Sequence, residues 1–130
     1  MTEKKPVLLI ADDDPEILTL LSLRLARKGY EVVEAVDGLQ ALRLVRDRKP
    51  DLVILDVMMP GRNGWEVARE IRTDDSLKHT GILILTAIGE RVNEMTSPLY
   101  GADAYIDKPF DFADLETQLR TVLEKRRNQA

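Results

Sequence analysis

Five times along 130 residues a short run of apolar, strand-forming residues gives way to a segment with helical spacing. That alternation leaves few folds open. The strand-like runs are Val7–Ala11, Glu31–Ala35, Leu52–Leu55, Ile82–Leu85 and a brief Ala104–Ile106. Near-continuous apolar strands are those buried on both faces, as when helices cover both sides of a parallel sheet. Alternating strands and helices with short connections imply right-handed crossovers and an open, doubly wound α/β sheet. At this size the common solution is the flavodoxin-like order 2-1-3-4-5. It places the topological switch point between strands one and three, and ligands bind beyond the carboxyl ends of those strands.

Local signals punctuate the pattern. Asp14-Pro15-Glu16 reads as an N-cap, a proline at the first helical position and an acid in the first turn. The helix that follows is predicted to carry Ile17, Leu20, Leu21 and Leu25 on one face, and Gly29 is its stop. Asp37 caps a second helix, with Ala41, Leu42 and Val45 inward, which ends before Pro50. After the loop from Met58 to Gly64 comes a short helix packed through Trp65, Val67, Ala68 and Ile71. A fourth helix is expected from Glu90 to about Tyr100, ending or kinking near Thr96. There Pro98 removes an amide donor and clashes with the Glu94 carbonyl, and it pushes Ser97 out of helical angles. Asp111 opens a last helix with Phe112, Leu115, Leu119 and Val122 at helical spacing. The run Glu124-Lys-Arg-Arg127 reads as a solvated helix end, with a fraying polar tail beyond Lys125.

The length suits a single domain over residues 1–130. No apolar stretch is long enough to span a bilayer, and the polar N-terminus has no signal-peptide core. The absence of cysteine excludes disulfides and thiolate metal sites and fits a cytoplasmic setting. A net charge of −4, with no basic stripe, argues against direct binding of nucleic acid.

The loud residues sit at strand ends. Strand one stops at Asp12, Asp13 and Asp14, strand three at Asp56 and strand four at Thr86, while Lys108 follows strand five. In the doubly wound order all of them share one rim. Like charges ~4 Å apart repel by a few kcal/mol even at an effective dielectric of about 20, so such a cluster calls for a cation or a proton. Carboxylates without Cys or His are hard oxygen ligands suited to Mg²⁺ or Mn²⁺. With the charge of Lys108 and the hydroxyl of Thr86 they make a phosphoryl-transfer site, in which an ionised Asp is a competent nucleophile. Taken singly, each residue has a plainer reading. Asp14 is better read as a cap than a ligand, Asp12 and Asp13 as turn acids, Thr86 as a β-branched strand residue and Tyr105 as an edge-strand aromatic. His79, the sole histidine, reads as solvated. For the other strand-end residues these plainer readings jointly fail, because separate strand ends deliver complementary groups to one place, while Asp14 stays a cap and His79 solvated.

From about Pro6 to Lys125 the chain resembles the response-regulator receiver domain of two-component signalling. The resemblance rests on Leu9-Ile-Ala-Asp-Asp-Asp-Pro15, Asp51-Leu-Val-Ile-Leu-Asp-Val-Met-Met-Pro-Gly61, Leu83-Ile-Leu-Thr-Ala87 and Gly101-Ala-Asp-Ala-Tyr-Ile-Asp-Lys-Pro-Phe110, in that order. It implies that Asp56 accepts a phosphoryl group from a sensor histidine kinase or a histidine phosphotransfer protein. Asp13, Asp56 and the Met58 carbonyl would hold Mg²⁺, with Asp12 acting largely through water. Thr86 and Lys108 would grip phosphoryl oxygens, Tyr105 would turn as the switch, and Lys108-Pro109 would be cis. The reader of the switch would be the face of the fourth helix, fifth strand and fifth helix, engaging a target protein or an effector domain not contained in these residues. Dimerisation through the same helices is left open. The protein is thus expected to be a signalling phosphoacceptor and not an enzyme in the ordinary sense. Positions that control water access in the family are Met58 and Ile88 here, both apolar, which predicts a long-lived phosphorylated state. A flavodoxin-type nucleotide or flavin binder fits the sheet but wants Ser, Thr or Gly amides in the first loop, where this chain has acids. A phosphatase with an aspartyl nucleophile generally wants a second acid where Met58 stands.

Overall fold

The computed structural model describes residues 5–86 and 101–128. In chain order the elements are β1 (Val7–Ala11), α1 (Pro15–Arg27), β2 (Glu31–Ala35), α2 (Gly38–Arg48), β3 (Leu52–Asp56), α3 (Gly64–Thr73), a 3₁₀ turn (Asp75–Leu77), β4 (Gly81–Thr86), β5 (Ala104–Asp107) and α4 (Phe112–Asn128). The strands form one parallel sheet in the order β2-β1-β3-β4-β5, as the alternation predicts. The predicted helix from Glu90 to Tyr100, its break near Thr96 and Pro98, and Ile88 lie outside the described residues.

Alternate side chains of each strand go to opposite faces, which is why the central strands read as unbroken apolar runs. On one face Leu9, Val53, Leu55, Ile82 and Ile84 pack against Leu42 and Val45 of α2 and Val67 and Ile71 of α3. On the other, Leu8, Ile10, Ile54, Leu83 and Leu85 meet Leu21 and Leu25 of α1 and Leu115 and Leu119 of α4. The caps fall where the sequence puts them. Asp14 accepts from the Glu16 amide at 2.9 Å and Asp37 from the Gln40 amide at 2.8 Å, while Gly29 takes a φ of +98° after α1. Asn63 and Glu66 add a reciprocal capping box at the start of α3.

Two expectations are corrected. The buried stripe of α1 is Leu18, Leu21 and Leu25, and Leu20 stands 50% exposed. The helix lies on a sheet and covers it with a narrow i, i+3, i+7 stripe, so a residue one step from Leu21 is rotated about 100° away from it. The second correction concerns the C-terminus. Helix α4 continues to Asn128, and Arg126 is no solvated helix end: its guanidinium grips the carboxylate of Asp103, Nε donating at 3.0 Å. Asp103 also accepts from Arg72 at 2.9 Å and from the Ile82 amide at 2.8 Å, and its side chain is 2% exposed. One buried carboxylate thus ties α3, β4, the start of β5 and the end of α4 together.

Removing one partner of a buried, hydrogen-bonded ion pair strands the other charges and costs about 3–5 kcal/mol. Asp103→Ala is therefore expected to lower the unfolding free energy by roughly 3 kcal/mol in urea titrations, whereas Lys125→Ala, which removes a half-exposed cation 3.7 Å from the same carboxylate, stays within about 1 kcal/mol. Equal losses for the two would contradict the clamp.

Candidate functional site

Register explains why the rim residues meet. Ala11 pairs with Leu55, Asp56 with Leu85, and Thr86 with Asp107. Asp12 therefore follows β1 at the level of Asp56, with Thr86 one step further along the neighbouring strand. The carboxylate oxygens of Asp12, Asp13 and Asp56 fall within 4.8 Å of one another. Asp12 is fully buried and Asp56 4% exposed, whereas Asp13 faces solvent. Lys108 reaches in from the β5 end, its Nζ 3.3 Å from Asp12 Oδ2 and 3.2 Å from Asp56 Oδ1. The other oxygen of Asp12 accepts from the Asp14 amide at 2.9 Å, which fixes the carboxylate. The Lys108–Pro109 peptide is cis, as the resemblance implies.

Close backbone packing shapes the far wall. The Gly64 amide donates to the Val57 carbonyl at 3.0 Å, and a Cβ on Gly64 would sit 2.5 Å from the Asp56 carbonyl oxygen. Only glycine lets the start of α3 lie against the peptide that carries Asp56. Met58 is on the loop after β3, its side chain 66% exposed. Tyr105 is half-buried and packs against the core layer that holds α2 and α3.

Four of the predicted residues, Asp12, Asp13, Asp56 and Lys108, thus come together. Thr86 is brought to the same rim and is fully buried, but its hydroxyl donates to Asp107 Oδ1 at 2.7 Å. Sequence reasoning missed Asp107. The available signal was its place immediately before Lys108; its position opposite Thr86 is set by the register of β4 and β5.

The sequence profile of the response regulator receiver domain matches residues 8–120. The chain belongs to this family. Among curated relatives, a probable transcriptional regulator, ycf27, of Guillardia theta is 44% identical over 128 residues, covering 98% of this chain and 49% of the relative. The phosphate regulon transcriptional regulatory protein PhoB of Pseudomonas aeruginosa is 41% identical over 118 residues, covering 91% and 52%. The chain spans about half the length of these relatives. Among solved structures, a response regulator receiver domain protein (CheY-like) from Methanospirillum hungatei superposes with a TM-score of 0.90 at 26% identity, covering 98% of this chain and all of that one. The receiver domain of a sensor histidine kinase from Pseudomonas aeruginosa, with magnesium coordinated in its active-site cleft, gives 0.83 at 27% identity, covering 93% and 99%.

In this receiver the donor set suits a small hard cation: three carboxylates within reach of one point, and neither His nor Cys among them. Without a cation the site is electrostatically tense. Burial, then the neighbouring charge of Asp12, push the Asp56 carboxyl up to about 6, against the pull of Lys108. Burial disfavours the charge on Lys108, but Asp12 and Asp56 outweigh it and hold the ammonium above its ordinary value. A carboxyl whose folded pKa is raised stabilises the fold fully below its unfolded value and loses that contribution as pH rises through the folded one. The window here runs from about 4 to about 6.

In chelator, Asp56→Asn is thus expected to be more stable than the parent at pH 7.5 by ~1–3 kcal/mol. The gap closes below about pH 4 and narrows when Mg²⁺ is added to the parent, as denaturant unfolding at each pH can measure. A gap that does not change with pH would contradict the charge crowding.

Proposed function

We propose that this receiver is a phospho-accepting switch in which Asp56 takes a phosphoryl group from the phosphohistidine of a sensor kinase or histidine phosphotransfer protein. The observation that carries the reading is the triangle of Asp56, Asp12 and Lys108 at the carboxyl end of the sheet, with a lysine ammonium 3.2 Å from the proposed nucleophile. An Asp56 oxygen would form the new O–P bond as the N–P bond of phosphohistidine breaks, the electron pair leaving with the imidazole. Phosphoryl transfer asks little covalent chemistry of a protein beyond positioning and neutralisation. Lys108 supplies a fixed positive charge for the phosphoryl oxygens, and Asp12, anchored by the Asp14 amide, holds Lys108 in place. Asp13, Asp56 and the Met58 carbonyl would hold Mg²⁺, with Asp12 acting largely through water, and the bound ion would supply further positive charge for phosphoryl oxygens.

Phosphorylation replaces one carboxylate charge with roughly −2 and three acceptor oxygens. Thr86 and Lys108 are the donors that answer it, and Tyr105, on the neighbouring strand, follows Thr86. Their shift biases a two-state equilibrium read on the face of β5 and α4. Moving such an equilibrium from mostly off to mostly on takes up to about 5.5 kcal/mol. The reader would be an effector domain or a target protein. The half-length match to transcriptional regulators favours an effector domain, with the acidic receiver itself making no contact to nucleic acid.

Incubation with Mg²⁺ and a small phosphodonor is expected to add one phosphoryl mass to the parent and none to Asp56→Asn. Equal labelling of the two would overturn the assignment. The exposed apolar Met58 offers no polar group to orient an attacking water. The isolated phosphoprotein should therefore persist for minutes or longer in a time course of intact mass, and decay within seconds would contradict the inference.

A further inference from the structure

The proposed switch needs the Thr86 hydroxyl, and that hydroxyl is already committed. A threonine carries one hydroxyl proton. Here it is donated to Asp107 Oδ1 at 2.7 Å, with the Ile106 carbonyl a distant second acceptor at 3.4 Å. The bond sits at the last rung of the sheet, where Thr86 and Asp107 are partners across β4 and β5. The next residue, Lys108, ties back to the same threonine through its amide, which donates to the Thr86 carbonyl at 2.5 Å. Thr86 is fully buried and its side chain has little room to serve two acceptors at once.

We propose that Asp107 is a positioning residue that holds Thr86 in the unphosphorylated state, competing with the phosphoryl group for the single hydroxyl proton. This rests on the reading of Asp56 as the phosphoacceptor. An apolar residue at this position would leave the hydroxyl free to turn at little cost. A carboxylate acceptor makes the bond charge-assisted, and such bonds are roughly twice as strong as neutral ones. Turning Thr86 toward phosphorylated Asp56 then exchanges one anionic acceptor for another, so the net gain of the on state is the difference between two strong bonds. Asp107 thereby sets the threshold of the switch: the phosphoryl group must outbid a resident carboxylate.

The test is the affinity for beryllofluoride with Mg²⁺, a noncovalent phosphoryl mimic, read by fluorine NMR of the bound anion. Hydrogen bonds to charged groups are worth enough that Asp107→Ala should bind the mimic at least about tenfold more tightly than the parent. Asp107→Asn keeps an acceptor without the charge and should fall between. The decisive comparison is a double-mutant cycle: in a Thr86→Val background, Asp107→Ala should add less than about twofold, because the coupling acts through the hydroxyl. Asp107 is exposed, so these variants are expected to fold. A parent and Asp107→Ala of equal affinity would overturn the proposal, as would a gain that persists in Thr86→Val, which would be a mere change of local charge. Failure of the underlying reading looks different: the parent takes up no beryllofluoride, or Asp56→Asn takes it up equally well.

Discussion

A lysine shared between two buried aspartates is the interaction on which this receiver depends. Lys108 lies within 3.3 Å of both Asp12 and Asp56. Three charges of two signs leave the pair of acids half compensated, and Asp13 at the mouth adds a third acid. Full compensation would bury an inert ion pair. With no cation at all, two buried carboxylates side by side would not both ionise. The arrangement lies between these limits, so Asp56 keeps a raised pKa and an unmet demand for positive charge. That demand suits the site to a divalent cation, which would relieve it.

The fold makes the crowding possible because only a parallel sheet delivers several strand ends to one rim. β1, β3, β4 and β5 all point their carboxyl ends the same way, and the order β2-β1-β3-β4-β5 makes β1 and β3 neighbours. Helices on both faces fix the strands, so the charged rim is held in place by the two apolar layers beneath it. Gly64 shows how tight this is, since the α3 backbone rests directly on the peptide of Asp56.

What the sequence made legible follows from the range over which each signal acts. Strand and helix placement, the Asp14 and Asp37 caps and the rim cluster all came through, because apolar period, capping chemistry and strand-end position are local. The errors came where partners are far apart in the chain. Arg126 looked like a solvated cation because its partner, Asp103, is 23 residues away, and Asp103 itself has no local mark of burial. Leu20 looked inward because periodicity tells which residues share a face and not how wide a stripe the sheet covers. The place of Thr86 at the rim was legible, but the occupant of its hydroxyl was not, because a side-chain rotamer is set by the neighbouring strand.

These long-range contacts share one element. β5 is four residues long and half-buried, the thinnest strand of the sheet. At its start Asp103 is locked by Arg72, Arg126 and the Ile82 amide, and the Asp103 amide in turn donates to the Ile82 carbonyl at 2.9 Å. At its end Asp107 and Lys108 are held by Thr86 through a side-chain bond and a backbone bond. The first set of contacts involves a buried carboxylate with several cationic donors; the second includes a single hydroxyl proton that can change acceptor. Under the proposed switch, a change in β5 would start at the Thr86 end, where that proton can change acceptor. A strand anchored at one end and latched at the other would convert a small rotation of Thr86 into a directed shift of Asp107, Lys108 and the Tyr105 ring between them and the anchor. Such a two-position element, rather than general looseness, is what the proposed switch would need for a small event at Asp56 to be read on a distant face.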